Sequence, residues 1–153
     1  MGQGWRPPES ENRTKRLIKK AIKEKMIKTI KENGTQKSKT LYYLNNKKDL
    51  TAGKRAPYMD ILTRREASTI FAARTRMIDV KTNYRNKYKD TKCRMCNTEE
   101  ETQKHIFEEC RNINRNETGK ITEEEIFTEE IEKIKATARK INRIQEQISA
   151  APL

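Results

Sequence analysis

All three cysteines and the only histidine of the chain fall within residues 93 to 110, in the stretch CRMCNTEEETQKHIFEEC. No other feature constrains the fold as tightly. The spacing is C-x2-C-x8-H-x4-C, and three thiolates with one imidazole complete a tetrahedral ligand set for Zn2+. Cys93, Cys96, His105 and Cys110 are therefore the expected ligands of one zinc ion. A CxxC turn brings two sulfurs to one ion, and the second pair must come from a segment that folds back over it. Residues five apart on an ideal α-helix point about 140° apart around its axis. His105 and Cys110 cannot share one helical face, so the helix carrying them should tighten or end between them. The pattern Thr98-x-x-Glu101 reads as the capping box that opens this helix.

Other chemistries fit the cluster less well. Three buried apolar cysteines and a chance histidine would not need ligand spacing. A Cys-His nucleophile pair would need an oxyanion hole and an orienting Asp or Asn, and no Gly-rich turn or strained elbow flanks either cysteine. A catalytic zinc keeps one position open, whereas four ligands close this one. No catalytic residue is expected.

A staple matters because the core must be small. Of 153 residues, 37% are charged and 33% hydrophobic, so a metal or a partner has to supplement burial. The odd thiol count speaks against a secreted disulfide framework and for a reducing compartment. The polar start MGQGWRPPES lacks an apolar signal region, and no run approaches the roughly 18 apolar residues of a membrane helix. The expectation is an intracellular protein of the nucleus or cytoplasm, with no membrane partner.

The net charge of +13 is unevenly placed. Residues 1 to 97 carry 26 Lys and Arg against 9 Asp and Glu; residues 98 to 153 carry 9 against 13. Three thiolates and Zn2+ would lower the total by about one charge, which still leaves a strong attraction for polyphosphate.

The periodicity is helical, and the expected class is mainly α: a small helical domain stapled by a Cys3His zinc knuckle and flanked by long amphipathic helices. Residues 1–57 hold a basic helix and a flexible basic linker. Leu17, Ile18, Ala21, Ile22, Met26 and Ile30 recur among lysines up to Asn33-Gly34, while TLYYL suits a short strand or a helical turn. The lysine face suits solvent and phosphate equally. Residues 58–115 hold a second helix, a basic linker and the knuckle. Thr63-x-x-Glu66 predicts a capped helix over 63–78, with Ala67, Ile70, Phe71 and Met77 or Ile78 as its apolar stripe. VKTNYRNKYKDTK then mixes Tyr84 and Tyr88 with cations, offering rings for bases beside charge for phosphate, although a solvated linker has the same composition. The candidate nucleic-acid contacts are Arg74, Arg76, Lys81, Tyr84, Arg85, Lys87, Tyr88, Lys89, Lys92 and Arg94. Residues 116–153 form an amphipathic helix capped by Thr122, with a seam of Phe127, Ile131, Ile134, Ala138, Ile141 and Ile148 and with Gln145 at an apolar position. That seam should pack on the first helix of the same chain; self-association through it is the alternative.

The cluster resembles the zinc knuckle that follows the reverse transcriptase domain in LINE-type (non-LTR) retrotransposon polyproteins. Matching positions are Cys93, Cys96, the Glu101-Thr102 pair, His105 and Cys110, and the preceding LTRREASTIFAARTRMIDVKTNYRNKYKD is similar to the helical lead-in, so that the likeness covers roughly residues 60 to 111. The resemblance implies origin in an RNA-binding, reverse-transcribing polyprotein, with a reverse transcriptase domain of the same polyprotein as a partner. It does not bring polymerase or endonuclease activity: YMDI is not the paired-aspartate motif, and the residues after Cys110 lack the Pro-Asp and acidic constellation of the endonuclease.

Two readings therefore stand. One is a zinc-dependent binder of RNA, DNA or both, without enzymatic activity of its own. The other is a zinc-stabilised helical module for protein-protein interaction.

Overall fold

The structure is a computed structural model that describes residues 4, 9–34, 38–46 and 55–151. These are mainly helical, and among them the only β pairing is an isolated bridge between Lys92 and Glu100. The chain forms two compact units, Met1–Lys54 and Arg55–Leu153.

In the first unit, α1 spans Glu9–Gly34 and α2 spans Ser38–Asn46. Glu9 and Glu11 occupy the positive N-terminal end of α1 and Lys31 its C-terminal turn, as the helix dipole favours. Ion pairs one turn apart, Lys15 with Glu11 at 3.1 Å, Lys20 with Glu24 at 3.9 Å and Lys28 with Glu32 at 3.8 Å, support its exposed surface. The stripe of Leu17, Ile18, Ile22, Met26 and Ile30 is 40–60% exposed, so it does not form a core. TLYYL is helical, with Tyr42 buried and its carbonyl accepting Asn46 Nδ2 at 2.9 Å. Most of the expected basic linker, residues 47–54, lies outside the described residues.

The second unit carries α3 (Tyr58–Ile61), α4 (Arg64–Arg74), a 3-10 turn at Lys81–Tyr84, a π-helical turn at His105–Glu109, α5 (Glu123–Phe127) and α6 (Ile131–Ala150). Helix α4 opens with the expected capping box: Glu66 N–H donates to Thr63 Oγ1 at 3.3 Å, and Thr63 N–H to Glu66 Oε2 at 3.0 Å. It stops earlier than position 78. Arg76 takes a left-handed φ of 52°, its N–H bonds the Ala73 carbonyl at 3.2 Å, and Met77 N–H bonds the Ala72 carbonyl at 2.7 Å. That pair of bonds is a Schellman motif, which ends a helix by satisfying its last carbonyls. The turn rotates Ile78 and Val80 into the core and leaves Met77 half exposed, as is Phe71.

The C-terminal segment also divides. Thr122 and Glu125 form a capping box on α5, but Thr128 is extended and α6 starts only after Glu130. Helix α6 packs against α4 and α5 through Ile134, Thr137, Ala138, Ile141, Ile144 and Ile148. The seam is thus buried within this unit, against α4 and α5. Ile144, not position 145, closes the missing apolar step. Thr69 Oγ1 meets Asn142 Oδ1 at 2.8 Å, and Lys140 pairs with Glu125 at 2.7 Å, tying α6 to both neighbours.

Candidate metal centre

Cys93 and Cys110 belong to the same hydrophobic core as Ile70, Ile106, Phe107 and Ile141. The ligand cluster is therefore built into the domain. Cys93 follows a short crossing in which Cys93 N–H donates to the Glu99 carbonyl at 2.7 Å, and Asn97 N–H returns to the Cys93 carbonyl at 2.8 Å. Asn97 turns the chain in the left-handed region, φ 56°, where Asn is tolerated better than most side chains. This loop presents Cys93 and Cys96 together.

The second pair comes from the π-helical turn. Thr102 Oγ1 accepts His105 N–H at 3.1 Å and the Thr102 carbonyl accepts Ile106 N–H at 3.0 Å, so Thr102 starts the turn. Cys110 N–H then bonds the His105 carbonyl at 2.7 Å, five residues back. The helix was expected to tighten or end between these positions; it ends at Glu109, with Cys110 extended, and its last turn widens, which brings positions five apart closer around the axis. Thr98 and Glu101 do not cap it. Thr98 Oγ1 donates to Cys96 Sγ at 3.2 Å, and Glu101 is fully buried elsewhere.

The result is a group of four donors, Sγ of Cys93, Cys96 and Cys110 with a ring nitrogen of His105, all within 4.8 Å of one another. Such a cluster could hold a metal ion. Cys93 Sγ and Cys110 Sγ are 3.8 Å apart, and Cys96 Sγ lies 3.3 Å from His105 Nε2. All three cysteines are free thiols, far beyond the roughly 2.05 Å of a disulfide. Burial pushes the Cys93 thiol up to about 12, a cost of deprotonation that coordination to a metal would offset. Burial also raises Cys96, but hydrogen bonds from Thr98, from the Glu99 and Thr98 amides and from His105 outweigh it and bring that thiol down to about 6. On the far side of the imidazole, Glu99 Oε2 is 3.1 Å and Glu109 Oε2 3.9 Å from His105 Nδ1. Neither forms an aligned hydrogen bond, so Nδ1 has carboxylate neighbours without a fixed donor geometry.

Two supporting residues escape a sequence reading. Arg115 directs its guanidinium at the carbonyls of Ile106, Phe107 and Cys110, satisfying the last carbonyls of the π-helical turn. Burial lowers its pKa, against an opposing effect of Cys110. Gln103 Nε2 donates to the Ala73 carbonyl at 2.9 Å and ties the turn to the end of α4. A basic residue just past a helix end is the only signal of the first role.

The candidate nucleic-acid residues separate into two groups. Arg74 is 1% exposed: Nε donates to the Ile126 carbonyl at 2.9 Å, a terminal nitrogen to the Thr128 carbonyl at 2.8 Å, and the guanidinium stacks on Tyr58 at 4.8 Å. It fills the break between α5 and α6 and presents nothing to phosphate. The Arg94 side chain is 7% exposed and locked onto Glu101 at 2.7 Å. Lys81 is largely covered, between Tyr88 and Asp90. Tyr88 is half-buried, with Lys81, Lys87 and Arg94 around its ring at 5.6–5.9 Å, so it is a poor base platform. Arg74, Arg94, Lys81 and Tyr88 are thus parts of the fold. Exposed are Tyr84, Arg85, Lys87, Lys89 and Lys92, and Arg76 pairs with Glu123 at 3.7 Å. Thr82, Asn83, Tyr84, Arg85, Asn86 and Lys87 line an open hollow.

No protein-family model, no curated protein and no solved structure matches the chain.

Proposed function

We propose that this chain is a zinc-stapled nucleic-acid-binding segment of the kind found in the C-terminal region of LINE-type reverse transcriptase polyproteins. Zinc is the ion its donors suit. Bonds of about 2.3 Å to sulfur and about 2.0 Å to nitrogen set tetrahedral separations of about 3.8 Å between sulfurs and about 3.5 Å between sulfur and nitrogen. The 3.8 Å and 3.3 Å distances in the cluster are close to those values. When bound, the ion would cross-link the two halves of the knuckle, and four protein ligands leave it no hydrolytic role.

The observation that carries the binding role is the exposed turn Tyr84 to Lys92. It sets one free aromatic face, Tyr84, among Arg85, Lys87, Lys89 and Lys92, beside an open hollow. Cations supply salt-dependent attraction for the phosphates, and the ring supplies sequence-tolerant stacking. The test is binding of the full chain to single-stranded RNA and duplex DNA across a salt series. A steep linear fall of log K with log[salt] supports the reading, and salt-independent or absent binding overturns it.

One observation favours a second reading, a protein-interaction module. The exposed stripe of Leu17, Ile18, Ile22, Met26 and Ile30 on α1 is a helix face of the kind that seats in an apolar groove.

A further inference from the structure

The carboxylate of Glu101 has no exposed surface, and its hydrogen-bond partners are Lys81 and Arg94, not the four candidate ligands. Every polar atom of the residue is used. Oε1 accepts the Lys81 N–H at 2.9 Å, Oε2 accepts the Arg94 N–H at 2.8 Å, and the Arg94 guanidinium grips both oxygens, closest at 2.7 Å. Its carbonyl accepts the Thr82 hydroxyl at 2.9 Å, and its N–H donates to the Thr91 carbonyl at 2.8 Å. The same Arg94 reaches the Asp79 carbonyl at 3.2 Å. These partners belong to the two ends of the basic turn, residues 79–82 and 91–94. Glu101 itself lies in the chain between ligands Cys96 and His105, and Arg94 lies between Cys93 and Cys96.

We infer that Glu101, with Arg94, is the positioning residue that makes the shape of the 81–92 nucleic-acid surface depend on metal occupancy. This rests on the function proposed above. The four ligands flank both members of the pair, so an ion that closes the cluster fixes Arg94 against Glu101. The pair in turn holds the first amides of the turn that carries Tyr84, Arg85, Lys87 and Lys89. Without the ion only the backbone bonds that pair residues 91–93 with 99–101 keep Arg94 against Glu101, and a carboxylate separated from its arginine moves to water because burial alone is too costly. The metal then controls binding without touching nucleic acid. Glu101 acts on the ligand only through the backbone of residues 81 and 82.

Lys81 offers a way to cut this connection away from the metal. Lys81→Pro removes the N–H donated to Glu101 Oε1 at the first position of a 3-10 turn, where the fixed φ of proline is tolerated. Lys81→Ala loses the same charge and keeps the N–H. Both full-length variants should give the wild-type ligand-field spectrum with Co2+. Native-state hydrogen exchange at residues 82–88 should accelerate about tenfold to hundredfold in Lys81→Pro relative to Lys81→Ala, the range that a hydrogen bond to a charged group supports. Single-stranded RNA affinity should fall with it. Stripping the metal from wild-type protein should accelerate the same amides. The inference is overturned if the two variants exchange alike, or if the amides keep their protection after metal removal. If exchange separates the variants while RNA affinity does not, the brace exists but does not govern binding, and the inference fails in that part. If wild-type protein binds no RNA or DNA at all, the functional reading falls by itself, and the exchange comparison still decides whether Glu101 transmits metal occupancy to the turn.

Discussion

Cys110 donates its amide to the carbonyl of His105, five residues earlier, at 2.7 Å. An α-helix would have bonded that carbonyl to residue 109 and turned the two side chains apart. The extra residue in the ring widens the helix by one step and puts a sulfur and an imidazole on one side. The turn survives because both ends are satisfied: Thr102 caps its start, and Arg115 takes up its last carbonyls. The placement of the His105 and Cys110 donors is thereby supported by hydrogen bonds within the chain.

The first prediction is metal dependence. Protein purified without chelator should carry one zinc per chain, and a strong chelator should lower the melting temperature and release Cys93 and Cys110 to thiol reagents. Structural zinc in finger peptides contributes about 10 to 16 kcal/mol of apparent binding free energy, so the loss should be cooperative unfolding of the knuckle. Cys93→Ser should behave like the stripped protein. Metal analysis finding no zinc, or a melt insensitive to chelator, would count against the site.

Arg115 tests the π-helical turn separately. Arg115→Ala removes the donor from the carbonyls of Ile106 and Cys110 in a covered position and leaves Phe107 only the Ile121 N–H, a loss of about 1 to 3 kcal/mol. Denaturant unfolding of zinc-loaded protein should report that loss, and competition with a chromogenic chelator should show weaker zinc binding. Arg111→Ala, at an exposed neighbouring residue, is the control that should do neither.

Glu101 predicts a pH dependence of definite sign. Burial raises its pKa, but the hydrogen bonds from Arg94 and Lys81 and the Arg94 charge prevail and hold it below the ordinary 4.5. A carboxylate with a depressed folded-state pKa contributes stability that is present above its unfolded pKa and lost as pH falls through the folded one. The stability gap between wild type and Glu101→Gln should be about 3 to 5 kcal/mol near neutral pH, as for breaking a buried pair. Urea melts at descending pH should keep that gap until about pH 4.5 and narrow it below, as the unfolded carboxyl protonates first. A gap that widens in acid would contradict the assignment.

What the sequence reveals here is whatever spacing alone determines. The Cys3His cluster, the capping box at Thr63, the cap at Thr122 and the apolar repeat of α6 follow from local rules, and the structure contains them. What it hides depends on partners distant in the chain. Arg74 and Arg85 look alike in sequence, yet the carbonyls that claim Arg74 come from residues 126 and 128, at the break between α5 and α6 that no helix pattern announces. Glu101 carries the signature of a third cap, and it is diverted because Arg94 and Lys81 outbid the amide it would have bonded. The early end of α4 rests on a non-glycine residue, Arg76, in the left-handed region, a position sequence rules assign to Gly or Asn.

The last prediction separates these look-alike cations by function. Each phosphate contact removed should make the salt slope shallower by about 0.9 on duplex DNA and about 0.7 on single strands. Arg85→Ala with Lys89→Ala removes two exposed charges from the turn, so binding should weaken across all sequences and the slope should flatten. Tyr84→Ala should cost about 1 to 3 kcal/mol on single-stranded RNA with little change in slope, because stacking releases no counterions. Arg74→Ala should do the opposite. Its one buried and one part-buried hydrogen bond make it worth about 2 kcal/mol or more of stability, and its 1% exposure leaves it no phosphate to release, so affinity per folded molecule and slope should both hold. Glu100 sharpens the comparison: it lies 3.6 Å from Arg85, and Glu100→Lys removes a competitor for that guanidinium and adds a cation. Binding should tighten and the slope steepen. If Glu100→Lys abolishes binding while the Arg85 and Lys89 pair can be lost without effect, the contact surface is the acidic side of the knuckle, and the turn from Tyr84 to Lys92 is only a connection.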